Sequence, residues 1–410
     1  MPVVTLQLNA VHVLALAALG LAAGVWIKNK IPLLDRLNIP ASIIGGLIYA
    51  LLALALRDRV LNLDMDLVLR DLLMVAFFTS VGMSASLALA KKGGVQVLFF
   101  LGLATAGAVL QNILGIGLAI ALGLNPLIGI VAGSISMTGG PATALAFGPT
   151  LEQLGAGGAS TLGVAAAMFG ILAGGLLGGH IGGSLIRKNH LHATPSSNPS
   201  FEEVAYGADA PDVAPNPATP EAEEESSPLM TSVIVIAVAM GIGSLISAAL
   251  NNAGVILPSY VGAMIAAGFI RNLDDRLQFA RISQHQIDSI GNVALSLFIV
   301  MALMTLRLWE LANLALPLLG ILLVQLVLVC LLSLTLVYYT MGKDYEAAVI
   351  SGGYCGFMTG TTANAMACMQ VLVEKYGPAP RAYIVVPLVG AFFIDFTNAL
   401  VISAMANLFK

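Results

Sequence analysis

Charge is scarce in this sequence. Only 10% of its 410 residues are Asp, Glu, Lys or Arg, where a soluble domain carries about a quarter. With 58% apolar residues and a mean hydropathy of +0.92, most of the surface cannot face water. Cysteine is nearly absent: Cys330, Cys355 and Cys368 lie in apolar surroundings and none stands in a Cys-x-x-Cys pair. That excludes a disulfide framework and a zinc site, and predicts packing roles. The net charge of -4 comes without a basic patch interleaved with aromatics, so nucleic acid is not a partner. No Gly-x-x-x-x-Gly-Lys-Ser/Thr loop occurs, so ATP is not the direct energy source. A second deep Asp in a Gly-x-Gly-Asp context is also missing, which leaves an intramembrane protease unsupported and predicts a protein that is not an enzyme and needs no organic cofactor.

What the chain does have is apolar length. Ten blocks, near 10–27, 39–56, 68–90, 95–122, 157–185, 229–249, 252–270, 287–308, 312–339 and 381–407, each reach the length needed to cross a hydrocarbon core, which takes about 20 helical residues. The first block lacks the basic flank and small-residue cleavage site of a secretory signal, and is expected to remain as a span. The class is an all-α integral membrane protein.

One stretch breaks the pattern. Residues 189–228 are rich in Pro, Ala, Ser and Glu, including Glu223, Glu224 and Glu225, and cannot bury enough apolar surface to fold. This linker separates residues 1–188 from 229–410, with five blocks in each half. The halves echo one another in order: Pro40-Ala41-Ser42 opens the second block as Pro258-Ser259-Tyr260 opens the seventh. Phe77 and Met83 are spaced like Phe298 and Met304, and the fifth and tenth blocks share a pattern around Phe169 and Phe393. Five is odd, so two halves of the same layout must enter the membrane from opposite sides, as inverted-topology repeats. With the N-terminus outside, Lys28, Lys30, Arg36, Lys91, Lys92, Arg187, Lys188, Arg271, Arg276, Arg281, Lys343, Lys375 and Arg381 lie inside. Arg57, Arg59, Arg70, Arg307 and Lys410 lie outside. This bias puts both termini outside and the linker in the cytoplasm.

Two polar, glycine-rich segments interrupt the apolar blocks at matching positions: Gly133 to Ala144, and Gly352 to Ala365. Irregular backbone at membrane depth is tolerated only inside protein or against a wet cavity, which predicts re-entrant hairpins whose tips meet near the midplane. Small residues also permit close helix packing, but the recurrence of such a segment in both halves favours a binding site. Amides at half-helix starts attract anions, while exposed carbonyls and hydroxyls suit Na⁺. Asp395 lies deep in the last block with Asn398 three residues on, so the two share a helix face. A carboxylate at that depth faces a cation, a substrate amine or a hairpin backbone. Gln111, Asn112 and Gln325 are further buried amides that either bind ligand or join helices. His12 and His180 have no carboxylate at relay spacing.

Several runs carry a family resemblance: Gly291 to Phe298, Leu306 to Ala312, Met341 to Tyr345, Val386 to Asp395, and more weakly Arg70 to Met74 and Gly133 to Ile135. Through them the chain resembles the bacterial glutamate:sodium symporters over nearly its whole length outside the linker. The resemblance implies two five-span inverted repeats with paired re-entrant loops in a bacterial inner membrane, Na⁺-driven uptake of L-glutamate, a homodimer, and elevator-like movement. On that reading Ser136, Thr138, Gly139, Gly140, Thr143, Gly360, Thr361, Thr362 and Asn364 hold the substrate carboxylates, since no deep Arg is available. Asp395, Asn398 and Gln111 then hold Na⁺ or the substrate amine. Pro141-Ala142 stands where the family commonly has His-Gly, and Thr361-Thr362-Ala363-Asn364 where a run with more proline is usual. Both departures fall where substrate is read, which leaves another organic anion or amino acid, coupled to sodium or protons, as the alternative.

Overall fold

All ten apolar blocks are helical in the computed structural model, which describes residues 4–37, 39–56, 61–88, 94–193, 228–255, 257–280, 282–311 and 314–409. The central part of the acidic linker (194–227) and the charges at Arg57, Arg59, Lys91, Lys92, Arg281 and Lys410 lie outside the described residues.

The first half runs β1 (Val4–Leu8), α1 (Ala10–Lys30), α2 (Pro32–Arg36), α3 (Ala41–Leu56), β2 (Leu61–Met65), α4 (Val68–Ser84) and α5 (Gly94–Ala121). It continues through α6 (Pro126–Ile130), a π-helical turn (Val131–Ile135), α7 (Gly140–Gln153) and α8 (Ala159–Lys188). The second half holds α9 (Pro228–Asn252), α10 (Ser259–Leu277), α11 (Gln284–Met304) and α12 (Ala315–Leu332), which passes through a π turn (Ser333–Val337) into α13 (Tyr338–Thr340). It ends with α14 (Tyr345–Met358), α15 (Thr362–Tyr376), α16 (Pro380–Phe392) and α17 (Ile394–Ala406). Among the described residues six helices are long and apolar enough to cross a membrane: α1, α5, α8, α9, α11 and the run Ala315–Thr340. The protein is therefore a multi-pass membrane protein.

Four local features depart from the sequence expectation. The seventh helix begins at Ser259 rather than near residue 252, because Asn251 folds back to take Leu257 N at 2.8 Å and Pro258 starts the helix. The helix of the third block, α4, stops at Ser84, where Asn272 binds the carbonyl of Ala85 and the amide of Leu87. The last block is not one straight rod: α16 and α17 meet at a 44° bend, after Pro387 has already removed a helix donor. Finally, β1 and β2 form a short parallel pair with Gln7 opposite Asp64. Both strands alternate apolar and polar residues, and α1 and α3 form the return path between them.

Packing follows the order of the halves. α1 lies on α3 as α9 lies on α10, and each pair is met by the third long helix of the other half, α3 by α11 and α10 by α4. α1 touches α11 as α9 touches α4, and α5 touches α17 as α12 touches α8. Each such contact has a counterpart when the halves are exchanged. A second apolar core around Phe100, Tyr354 and Phe357 joins α5, α8 and α12 to α17, whereas α6 and α7 share the first core with α3, α4, α10 and α11.

Candidate functional site

Each half contributes a helical hairpin. In hairpin 1, Asn125 caps α6 by accepting Leu127 N at 2.9 Å, with Pro126 preset for the first turn. The helix then breaks at Gly133 (φ -96°, ψ -131°), turns at Ser136 to Gly139, and restarts as α7 at Gly140 (φ +67°). A side chain is strained in that left-handed backbone, so glycine belongs at the tip. In hairpin 2, Asp344 caps α14 through Ala347 N at 2.7 Å, and Thr361 caps α15 by accepting Asn364 N. The helices α7, α14 and α15 have 14, 14 and 15 residues, about 21 Å each, short of a span of about 30 Å.

The two tips touch. A Cβ placed on Gly140 would lie 3.4 Å from Thr361 Cγ2 and 3.5 Å from Gly360 O. The N-termini of α7 and α15, the positive ends of two helix dipoles, thus converge in the protein interior, although Gly140 N is bonded to Ser136 O, Pro141 has no N–H and Thr361 already caps Asn364 N.

Gln111 ties the hairpins together. Thr138 Oγ1 donates to Gln111 Oε1 at 2.6 Å, and Gln111 Nε2 donates to Met358 O at 2.7 Å. Gln325 Nε2 reaches across from α12 to Gln111 O at 2.7 Å. On the far side of hairpin 1, Asn112 Oδ1 accepts Ser134 N at 2.8 Å and Asn398 Nδ2 donates to Ser134 O at 3.0 Å. Hairpin 2 is held by Asn364 Nδ2 on Ile171 O of α8 at 2.8 Å.

Of the residues singled out in the sequence, Thr138, Gly139, Gly140, Gly360, Thr361 and Thr362 lie at or beside the tip contact. Ser136 is buried with its hydroxyl on Val131 O of its own hairpin. The Thr143 side chain packs over Gly139, and that of Thr362 against Gly390 of α16. Asn398 is fully buried against hairpin 1, whereas Asp395 is half-buried in the first turn of α17, with no hydrogen-bond or ion-pair partner among the described residues. The helix break explains how a carboxylate is accommodated at that point: it sits at a positive helix end.

A group of buried polar atoms near the hairpins has no partner among the described residues: Asn112 Nδ2, Ser134 Oγ, Gln325 Oε1, Asn364 Oδ1 and Asn398 Oδ1. Four of the five are oxygens of hydroxyls or amides, a hard and neutral donor set that suits an alkali cation rather than a nitrogen- or sulfur-seeking metal. Sequence reasoning did not select Ser134. Its signal was the Gly-Ser step at the hairpin break, but the tip residues drew the assignment. The Met358 and Ile171 carbonyls carry no side-chain signal at all.

The profile of a protein family described as sodium/glutamate symporter matches residues 6–378. The sodium/glutamate symporter of Escherichia coli (strain K12) is 38% identical over 398 residues, covering 97% of each chain. That of Haemophilus influenzae is 34% identical over 389 residues, covering 94% of each. Matches of this length and identity, together with paired hairpins in an apolar helical body, make this chain a member of the sodium/glutamate symporter family.

Proposed function

We propose that this protein is a Na⁺-coupled symporter that takes up L-glutamate across a bacterial inner membrane by alternating access. The observation that carries this reading is the tip contact, where two half-helix N-termini and the Gln111 bridge gather polar groups inside an apolar body. Converging amides supply the positive potential for the substrate carboxylates, with Thr138, Gly139, Gly140, Thr143, Gly360, Thr361, Thr362 and Asn364 around them and Ser136 supporting the turn. Asp395, half-buried and without a partner among the described residues, meets the substrate amine or a Na⁺ on this reading. The family membership supports glutamate and sodium as the pair, since both relatives are named for them.

The same reading takes the two halves, 1–188 and 229–410, as inverted five-span repeats joined by a cytoplasmic linker, with the hairpins re-entrant and both termini outside. Three features support it: the hairpin helices are short of a span, the helix contacts recur when the halves are exchanged, and Arg187, Lys343, Lys375 and Arg381 gather at one end. There Arg187 binds Tyr376 at 3.1 Å, and Arg381 binds Asp344 at 2.6 Å. A body of α5 to α8 and α12 to α17 moving against the remaining helices gives an elevator-like cycle, and the fixed body suits a homodimer contact. Pro141 and Ala142 at the tip favour a second reading, the same carrier with another organic anion or amino acid and protons or sodium as the driver.

Uptake of labelled L-glutamate by proteoliposomes, with and without an inward Na⁺ gradient, tests the coupling. Gradient-dependent accumulation is expected; equal uptake in both conditions rejects sodium coupling, and displacement by a different anion but not by glutamate rejects the substrate.

A further inference from the structure

The hairpins are gripped differently from behind. α17 crosses hairpin 1 at its break, and α8 crosses hairpin 2 at its tip. When Phe169 and Phe393 are aligned, Gly174 of α8 takes the place of Asn398 of α17, each five residues further on. At the α8 crossing a Cβ on Gly174 would collide with Thr359 Oγ1, and one on Gly170 with Thr359 O, so α8 itself contributes no polar side chain, and the one unpaired oxygen there, Asn364 Oδ1, comes from the hairpin. At the α17 crossing the corresponding position holds a buried amide whose oxygen is unpaired, next to the equally unpaired Ser134 hydroxyl.

We propose that the crossing of hairpin 1 with α17 is a Na⁺ site, separate from the tip pocket, whose side-chain ligands are Ser134 Oγ and Asn398 Oδ1. The proposal rests on the sodium-coupled reading above. Both residues are fully buried, and both are oriented by bonds made through other atoms: Ser134 through its amide to Asn112 and its carbonyl to Asn398, Asn398 through Nδ2. These bonds fix the Ser134 backbone and the Asn398 amide plane, and leave the Ser134 hydroxyl and Asn398 Oδ1 without a partner among the described residues. Leaving a buried oxygen so is unfavourable, and a dehydrated cation satisfies both. The break at Gly133 also disrupts the regular carbonyl ladder beside them, the usual source of backbone ligands for Na⁺. Asn112 Nδ2, a donor, lies outside the ligand set; Asn112 is a positioning residue. Gln325, from α12 packed on the same π turn, contributes a further unpaired oxygen nearby.

The test is Na⁺-dependent thermal stabilisation of the purified full-length protein, compared in sodium and choline chloride, with the Na⁺ half-saturation of glutamate uptake measured in parallel. Ser134→Ala removes a hydroxyl that bonds to nothing in the fold, so in choline it should melt with the wild type. In sodium its half-saturation should rise by about tenfold, the equivalent of one lost ligand, with glutamate KM at saturating Na⁺ within about twofold. Asn398→Ala should show the same shift; if it does not fold, Ser134→Ala decides. Ser232→Ala, which removes a buried hydroxyl bonded to Pro228 O in α9, serves as the control and should titrate like the wild type. Wild-type Na⁺ dependence with an unchanged Ser134→Ala titration overturns this site and leaves the symport reading standing. A wild type that responds to neither Na⁺ test overturns both.

Discussion

The two crossings behind the hairpins differ in the helix that crosses: α8 offers only glycines and backbone to hairpin 2, whose Asn364 keeps one unpaired amide oxygen there, while α17 brings Asn398, whose amide oxygen is unpaired together with the Ser134 hydroxyl of hairpin 1. Recurring helix contacts thus do not bring identical chemistry. α8 presents Gly170, Gly174, Gly178 and Gly182 to hairpin 2, letting backbones approach closely, as small residues do in membrane interiors. α17 instead starts afresh after a bend and brings polar side chains to hairpin 1. The glycine face suits close seating of hairpin 2, while the polar face suits a ligand.

The sharpest way to break the comparison is to put bulk on the glycine face. Gly174→Val drives a side chain into that of Thr359, which is fully buried and bonded to Cys355 O, and should cost about 3 kcal/mol or more and abolish uptake. Thermal melting and uptake check this, and adding Thr359→Ala should restore part of the loss, a coupling that a double-mutant cycle measures. Next in size, Gln111→Leu cuts the bridge between the hairpins and strands both the Thr138 hydroxyl and the Met358 carbonyl. At about 1–3 kcal/mol for each stranded group, uptake should fall at least tenfold; preserved transport would mean the bridge is only a strut. Asn364→Ala and Asn398→Ala then sharpen the contrast. The first, on hairpin 2, should raise the glutamate KM by about tenfold and leave Na⁺ half-saturation alone; the second should do the reverse. If both raise the same constant, the division of labour between the crossings fails. The smallest effect belongs to Arg381→Gln, which removes a partly exposed pair with Asp344 at the base of hairpin 2. An exposed pair is worth about 0–1 kcal/mol, so the melting temperature should barely move.

Much of the helical layout was legible because each block is about as long as a membrane crossing needs, almost wholly apolar, and carries almost no charge. The hairpins were legible as well: Gly133 to Ala144 and Gly352 to Ala365 break the apolar pattern at the places where the chain turns back. The bend before Asp395 was not, because Pro387 and Gly390 are tolerated in many straight spans and only packing decides whether they kink one. The sheet pairing of β1 with β2 was hidden too, since a five-residue alternation is indistinguishable from a polar loop until a partner strand lies beside it.

By itself the sequence determined the solvent of this protein, its family, and which residues are polar enough to matter in an oily interior, because hydropathy and residue chemistry are local properties. Tertiary structure alone decided which polar atoms spend their hydrogen bonds on each other and which stay free. Thr138 and Gln111 satisfy one another, whereas Ser134 and Asn398 keep an oxygen each in reserve. Hydrogen-bond satisfaction depends on positions brought together from distant parts of the chain, and no spacing along one strand of sequence encodes it.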